Sequence, residues 1–132
     1  MNKVFEVSSQ ERYQLIDITA RVERIVAGSG VGEGWCLVFV PHSTAAIILT
    51  ENEVGLKGDW VNFLKKLVLG QDFLHNRIDD NADSHILSGF LGQGRSLPFK
   101  NGKLIRGVWQ QIFLVELDGP RRRKVVVSLL GA

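Results

Sequence analysis

The sequence is poor in the residues that staple small proteins together: it has one cysteine, three prolines, one tyrosine and one methionine among 132 residues. With Cys36 alone, neither an intrachain disulfide nor a cysteine-rich zinc site can form, so the chain suits a reducing compartment and has to be held by its core. It has no long apolar run either. The stretch from Trp35 to Pro41 falls far short of the ~18 residues needed to cross a membrane. Lys3, Glu6, Glu11 and Arg12 interrupt the start of the chain, so the hydrophobic region of a signal peptide is missing. Charge of one sign is not in excess: 16 Lys and Arg face 14 Asp and Glu, leaving a net +2. A dedicated nucleic-acid binder carries a much broader positive field. No low-complexity stretch and no internal repeat is present. These absences lead to the expectation of a soluble, cytoplasmic protein with neither nucleic acid nor membrane as its partner.

What is present fits one domain over residues 1–132. A hydrophobic share of 45% is ample for a core, and a chain of this length buries roughly two thirds of its unfolded surface. Lys3 to Ser8 reads as an opening strand. Asp17 and Thr19 offer N-caps to a short helix carrying Val22, Ile25 and Val26. Glu33 to His42 is β-branched and aromatic with apolar residues pointing both ways, which predicts a strand buried on both faces. Ser43 to Thr50 reads as a second strand that begins with small residues. Val54 to Leu69 shows Leu56, Trp60, Phe63, Leu64 and Leu67 at helical spacing.

Gln71 to Asp80 is polar and aperiodic, hence a loop. Asn81 is a fitting N-cap for a helix ending near Leu91, before Gly92 and Gly94. Asn101-Gly102 marks a turn between short strands. Val108 to Leu117 and Lys124 to Leu130 read as a long hairpin around Asp118-Gly119-Pro120. The apolar residues on both faces of these two segments imply a covering subunit. The pattern as a whole is α+β: a strand-rich domain with two or three helices packed on the sheets.

All three histidines, His42, His75 and His85, fall at segment ends or in polar loops, where side chains reach ligands. Three neutral imidazoles can hold a divalent metal, zinc or magnesium, with one position open. Their spacing matches no local metal motif, so the fold would have to bring them together. Ser43 and Thr44 offer hydroxyls to an anion, and Asp83 is suited to capping the helix start or orienting a histidine. Glu51, Asn52 and Asp59 form a polar cluster whose plain reading is capping and surface charge. Arg121 to Lys124 is the one dense basic run, and guanidinium forks suit phosphate oxygens. Strand alternation would put Arg121 and Arg123 on one side. Cys36 reads as a small buried hydrophobe.

Four ordered blocks, Pro41-His-Ser-Thr-Ala-Ala46 with Glu51-Asn52, Asn81-Ala-Asp-Ser-His85, Gly107-Val-Trp-Gln-Gln-Ile112 and Glu116-Leu-Asp-Gly-Pro-Arg121, resemble the YjbQ-like family, known as secondary thiamine-phosphate synthases. The chain departs from the family pattern at Ser43 and Ser84, where threonine and alanine are usual, and at Glu53-Val54-Gly55, where Asp-Pro is frequent. The resemblance implies a YjbQ-like fold assembled as a homotrimer, with the three histidines grouped in one pocket. It also implies joining of hydroxymethylpyrimidine diphosphate to thiazole phosphate with release of pyrophosphate, as a weak or secondary activity. In that reading His85, Asp83 and His42 are catalytic, and Ser43, Thr44, Glu51, Asn81, Arg121 and Arg123 bind the phosphorylated substrate. The alternatives are a metal-dependent hydrolase of a small phosphorylated or carboxylated metabolite and a non-catalytic trimer that binds a phosphometabolite.

Overall fold

Alternation along the strands sorts the chain into two antiparallel sheets. In the computed structural model, which describes residues 1–132, the order is β1 (Asn2–Ser8), β2 (Gln14–Asp17), α1 (Thr19–Gly28), β3 (Glu33–Phe39), β4 (Ala45–Thr50), α2 (Val54–Val68), a 3-10 turn (Leu74–Arg77), α3 (Ala82–Leu91), β5 (Gly94–Lys100), β6 (Lys103–Leu104), β7 (Gln111–Glu116) and β8 (Arg122–Gly131). One sheet runs β1-β8-β3-β5-β6 and the other β2-β7-β4. This is the expected α+β domain with three helices. No helix is long and apolar enough to cross a membrane.

The layers follow from which residues face which way. Ile112 and Leu114 of β7, with Ala45 and Ile47 of β4, pack against Cys36, Val38, Val125 and Val127 of the larger sheet. Phe113, Val115 and Leu117, with Ala46 and Ile48, pack instead against Leu64 of α2 and Leu87 of α3. The small sheet is thus the middle layer, between the large sheet and two helices. That arrangement accounts for the unbroken apolar run of β7, a strand buried on both faces by its own chain. The covering subunit expected for Ile112 to Leu117 is therefore not needed there.

The long hairpin expected from Val108 to Leu130 is not formed. β7 pairs with β2 and β4, whereas β8 pairs with β1 and β3, so Asp118-Gly119-Pro120 carries the chain from one sheet to the other. Gly119 is required at this crossing, because a Cβ there would collide with the Glu11 carbonyl oxygen and the Ser9 hydroxyl. Nor is β3 buried on both faces: Cys36 and Val38 are sealed, but Trp35 is 56% exposed and Leu37 and Phe39 are each 39% exposed. β8 alternates in the same way, with Val125, Val127 and Leu129 inside and Leu130 outside. The turn at Asn101-Gly102 is formed as read, with φ of 55° and 70°, the left-handed pair that a two-residue hairpin loop demands. β2 had no strong signal, being four residues without clean alternation.

Candidate functional site

The crossing between the sheets lies against the start of α3, and there the polar side chains collect. Asn81 precedes the helix, and its backbone carbonyl accepts from the N–H groups of Ser84 and His85. Its side chain does not cap the helix as expected. It donates through Nδ2 to Asp118 Oδ2 at 3.0 Å and presents Oδ1 to His75 Nε2 at 3.0 Å. Because Nδ2 is fixed on the carboxylate, Oδ1 is the acceptor and His75 Nε2 carries the proton. In its neutral form His75 therefore keeps its free lone pair on Nδ1. Its ring meets that of His85 edge to face, with centroids 5.0 Å apart.

Asp118 anchors this relay. Arg121 donates to its Oδ2 at 3.0 Å and to its carbonyl at 2.8 Å, and Arg12 approaches Oδ1 at 3.7 Å. Burial pushes the Asp118 pKa up but is outweighed by hydrogen bonds from Asn81 and Arg121 and by the charges of Arg121 and Arg12, which hold the carboxyl below its ordinary value. The role expected of Asp83, orienting a histidine, thus falls to Asp118 through Asn81. Asp83 instead accepts from Tyr13 Oη at 2.6 Å and from Arg12 at 2.9 Å. Burial first, then the bond and negative charge of Asp83, drive the Tyr13 pKa far above its usual value.

His42 is held differently. Its Nε2 accepts the backbone N–H of Lys124 at 2.9 Å, so its proton sits on Nδ1. Burial and then the positive charge of Arg123 lower its pKa and keep it neutral. Arg123, expected to bind substrate, has its guanidinium in the core. It donates to Glu116 Oε1 at 2.9 Å and Oε2 at 2.5 Å, and to the carbonyl and hydroxyl of Thr44 at 3.0 and 2.8 Å. Ser9 Oγ and the N–H groups of Leu117 and Asp118 complete the shell of Glu116. Thr44 is therefore a structural acceptor, while Ser43 remains exposed. Glu51 lies beyond the opposite end of β4, where Thr50 pairs with Gln111 while Ala45 pairs with Glu116. A strand of this length separates it from the cluster by about 20 Å.

The structure thus brings together His75, His85, Asn81 and Arg121 and adds Arg12, Tyr13 and Asp118, which sequence reasoning passed over. A clue was available, since a lone tyrosine that is buried has to find a hydroxyl partner. A trio of metal-binding histidines does not fit within one chain. No group of three or more His, Cys, Asp or Glu side chains is arranged to hold a metal ion, and the neutral lone pair of His42 is already engaged. A cavity of about 650 Å³ lies beside Arg12, Tyr13, Asn76 and Asp83 and touches none of the histidines.

Two antiparallel sheets with helices on the smaller one, and a polar relay at the sheet crossing, define a protein class by architecture. Its members can be named from comparison. The profile of the UPF0047 protein YjbQ-like family matches residues 3–132, and the chain belongs to that family. A UPF0047 protein of Archaeoglobus fulgidus is 42% identical over 125 residues, covering 94% of this chain and 97% of the other. The UPF0047 protein YugU of Bacillus subtilis is 31% identical over 132 residues, 99% of this chain and 100% of the other. Among solved structures, a protein of unknown function from Sulfolobus solfataricus P2 superposes with a TM-score of 0.97 at 47% identity, covering 100% of this chain and 97% of that one. A hypothetical protein from Aeropyrum pernix K1 gives 0.96 at 38% identity, with 100% and 99% covered.

Proposed function

We propose that the chain is a thiamine-phosphate synthase-like transferase of low activity. The observation that supports this reading is the Asp118-Asn81-His75 relay, which fixes the His75 ring against that of His85 and starts from a carboxylate bound by Arg121. Joining hydroxymethylpyrimidine diphosphate to thiazole phosphate forms a C–N bond from the thiazole nitrogen to the pyrimidine methylene and breaks that carbon's bond to the diphosphate oxygen. Negative charge then builds on the departing pyrophosphate. Arg121, whose side chain is 52% exposed, is placed to receive it, and the His85 ring supplies a further donor. The neutral His42 and exposed Ser43 border the same end of β4 and offer hydrogen bonds to phosphate oxygens.

We also propose the homotrimer, assembled through the outer face of the large sheet, where Val4, Trp35, Leu37, Phe39 and Leu130 lie open. A contiguous apolar face of this kind is characteristic of an interaction surface.

The test is formation of thiamine phosphate from the two purified substrates by wild type and by His85→Ala, each stripped of metal and then resupplied with single divalent ions. Product from wild type and none from the variant upholds the reading. Equal trace rates from both refute it, and thermal stabilisation by either substrate without turnover would identify a binding protein instead.

A further inference from the structure

Apart from the histidines, the helical side of the molecule carries an unexplained groove. The cavity of about 650 Å³ and a second of about 290 Å³ share Val68, Gln71 and Phe73 and so adjoin one another along α2. Its two ends differ in chemistry. At one end, Val61, Lys65 and Val68 line the wall at i, i+4 and i+7 of α2, which puts the Lys65 ammonium on the same helix face as the apolar wall. Lys65 has no ion-pair partner, whereas Arg12 in the same cavity is tied to Asp83. Asn76 adds a donor: its Oδ1 accepts the Ala82 N–H at 3.1 Å, which leaves its amide NH2 free.

The other end is almost wholly apolar, formed by Leu67, Val68, Phe73, Ile86, Leu87 and Phe90. Its rim is left in water, with Leu67 44%, Ile86 54% and Phe90 77% exposed. Glu11 lines both the polar end and a neighbouring cavity.

We infer that this groove binds an anionic amphiphile, its phosphate or carboxylate head held by Lys65 and Asn76 and its aliphatic tail laid along Phe73 toward Phe90. The unpaired Lys65 ammonium and the free Asn76 amide at one end suit the head, since the Asp83 carboxylate beside them is already paired with Arg12, and the apolar trough at the other end suits the tail. The groove borders the polar cluster through Arg12, Tyr13 and Asp83 but holds none of its histidines, so binding here is read without turnover and does not rest on the transferase reading.

Octyl phosphate, kept below its micelle-forming concentration, is the probe, followed by calorimetry. One equivalent should bind per chain, at least about a hundredfold tighter than inorganic phosphate, since each buried methylene contributes a factor of roughly four. Octanol should bind about tenfold or more weakly than octyl phosphate, because it lacks the charge. Lys65→Glu, an exposed substitution that leaves the core intact, should weaken octyl phosphate about tenfold, and Glu11→Gln should strengthen it. Octanol binding as well as octyl phosphate, or no effect of Lys65→Glu, overturns the inference. So does sedimentation showing the groove closed by a second copy, with Leu67→Lys separating the copies and octyl phosphate failing to bind wild type.

Discussion

Glu116 and Arg123 illustrate how one charged pair fixes two sheets. Glu116 ends β7 and Arg123 is the second residue of β8, and both are buried, at 0% and 3% exposure, with no buried side-chain polar atom left without a partner. Removing one partner strands the other charge, so Arg123→Met should cost about 3–5 kcal/mol, read as a lowered midpoint in denaturant unfolding with an unchanged slope. Arg123→Lys should recover only part of this, because an ammonium cannot reproduce the guanidinium fork on Glu116 while also reaching Thr44.

His42 makes a separate prediction. Its folded pKa lies below the ordinary 6.5, so the neutral form is the one the fold prefers. That contribution is fully present above pH 6.5 and is lost as the pH falls through the depressed folded value. NMR titration should give His42 a midpoint below 6.5, and His42→Gln should lessen the loss of stability on acidification. A His42 midpoint above that value would contradict the geometry.

Helix α3 and the turn before it show what local sequence tells and what it conceals. The helix itself was legible, because its apolar residues recur at helical spacing and glycines follow. The same holds for α2, whose start is capped by Glu53 accepting from the Gly55 and Leu56 N–H groups. The relay was not legible. Asn81 sits where caps sit, and only the arrival of Asp118 from 37 residues away diverts its side chain. Asn81→Ala should therefore leave α3 formed, with unchanged far-ultraviolet circular dichroism, yet release the His75 tautomer. Ring nitrogen chemical shifts should move from a single Nε2–H form toward a mixture, and Asp118→Asn should have a smaller effect in the same direction.

Sheet assignment was hidden for a related reason. An apolar run such as Ile112 to Leu117 announces burial on both sides but does not say what covers each side. Two adjacent strands joined by Asp-Gly-Pro look like a hairpin, and only pairing with β1 and β2 reveals the crossing. What stays open after folding is the outer face of the large sheet. If it is the trimer contact, Trp35→Asp, at a position 56% exposed in the protomer, should yield species near 14.7 kDa in sedimentation, where wild type sediments at three times that mass. A wild type that already sediments as a monomer would disprove the assembly.

The crossing at Asp118 to Arg121 also acts as a clasp. Gly119 N–H donates to the Arg12 carbonyl, Ser9 N–H donates to the Arg121 carbonyl, and Arg121 N–H donates to Ser9 Oγ. The link between β1 and β2 is thereby laced to the link between β7 and β8. These amides belong to both sheets at once, so they should exchange their hydrogens only when the sheets part, with the slow kinetics of global unfolding rather than those of a fraying loop. A ligand gripping Arg121 and His75 would slow them further, making the exchange of three backbone protons a reporter of occupancy that requires no knowledge of the reaction.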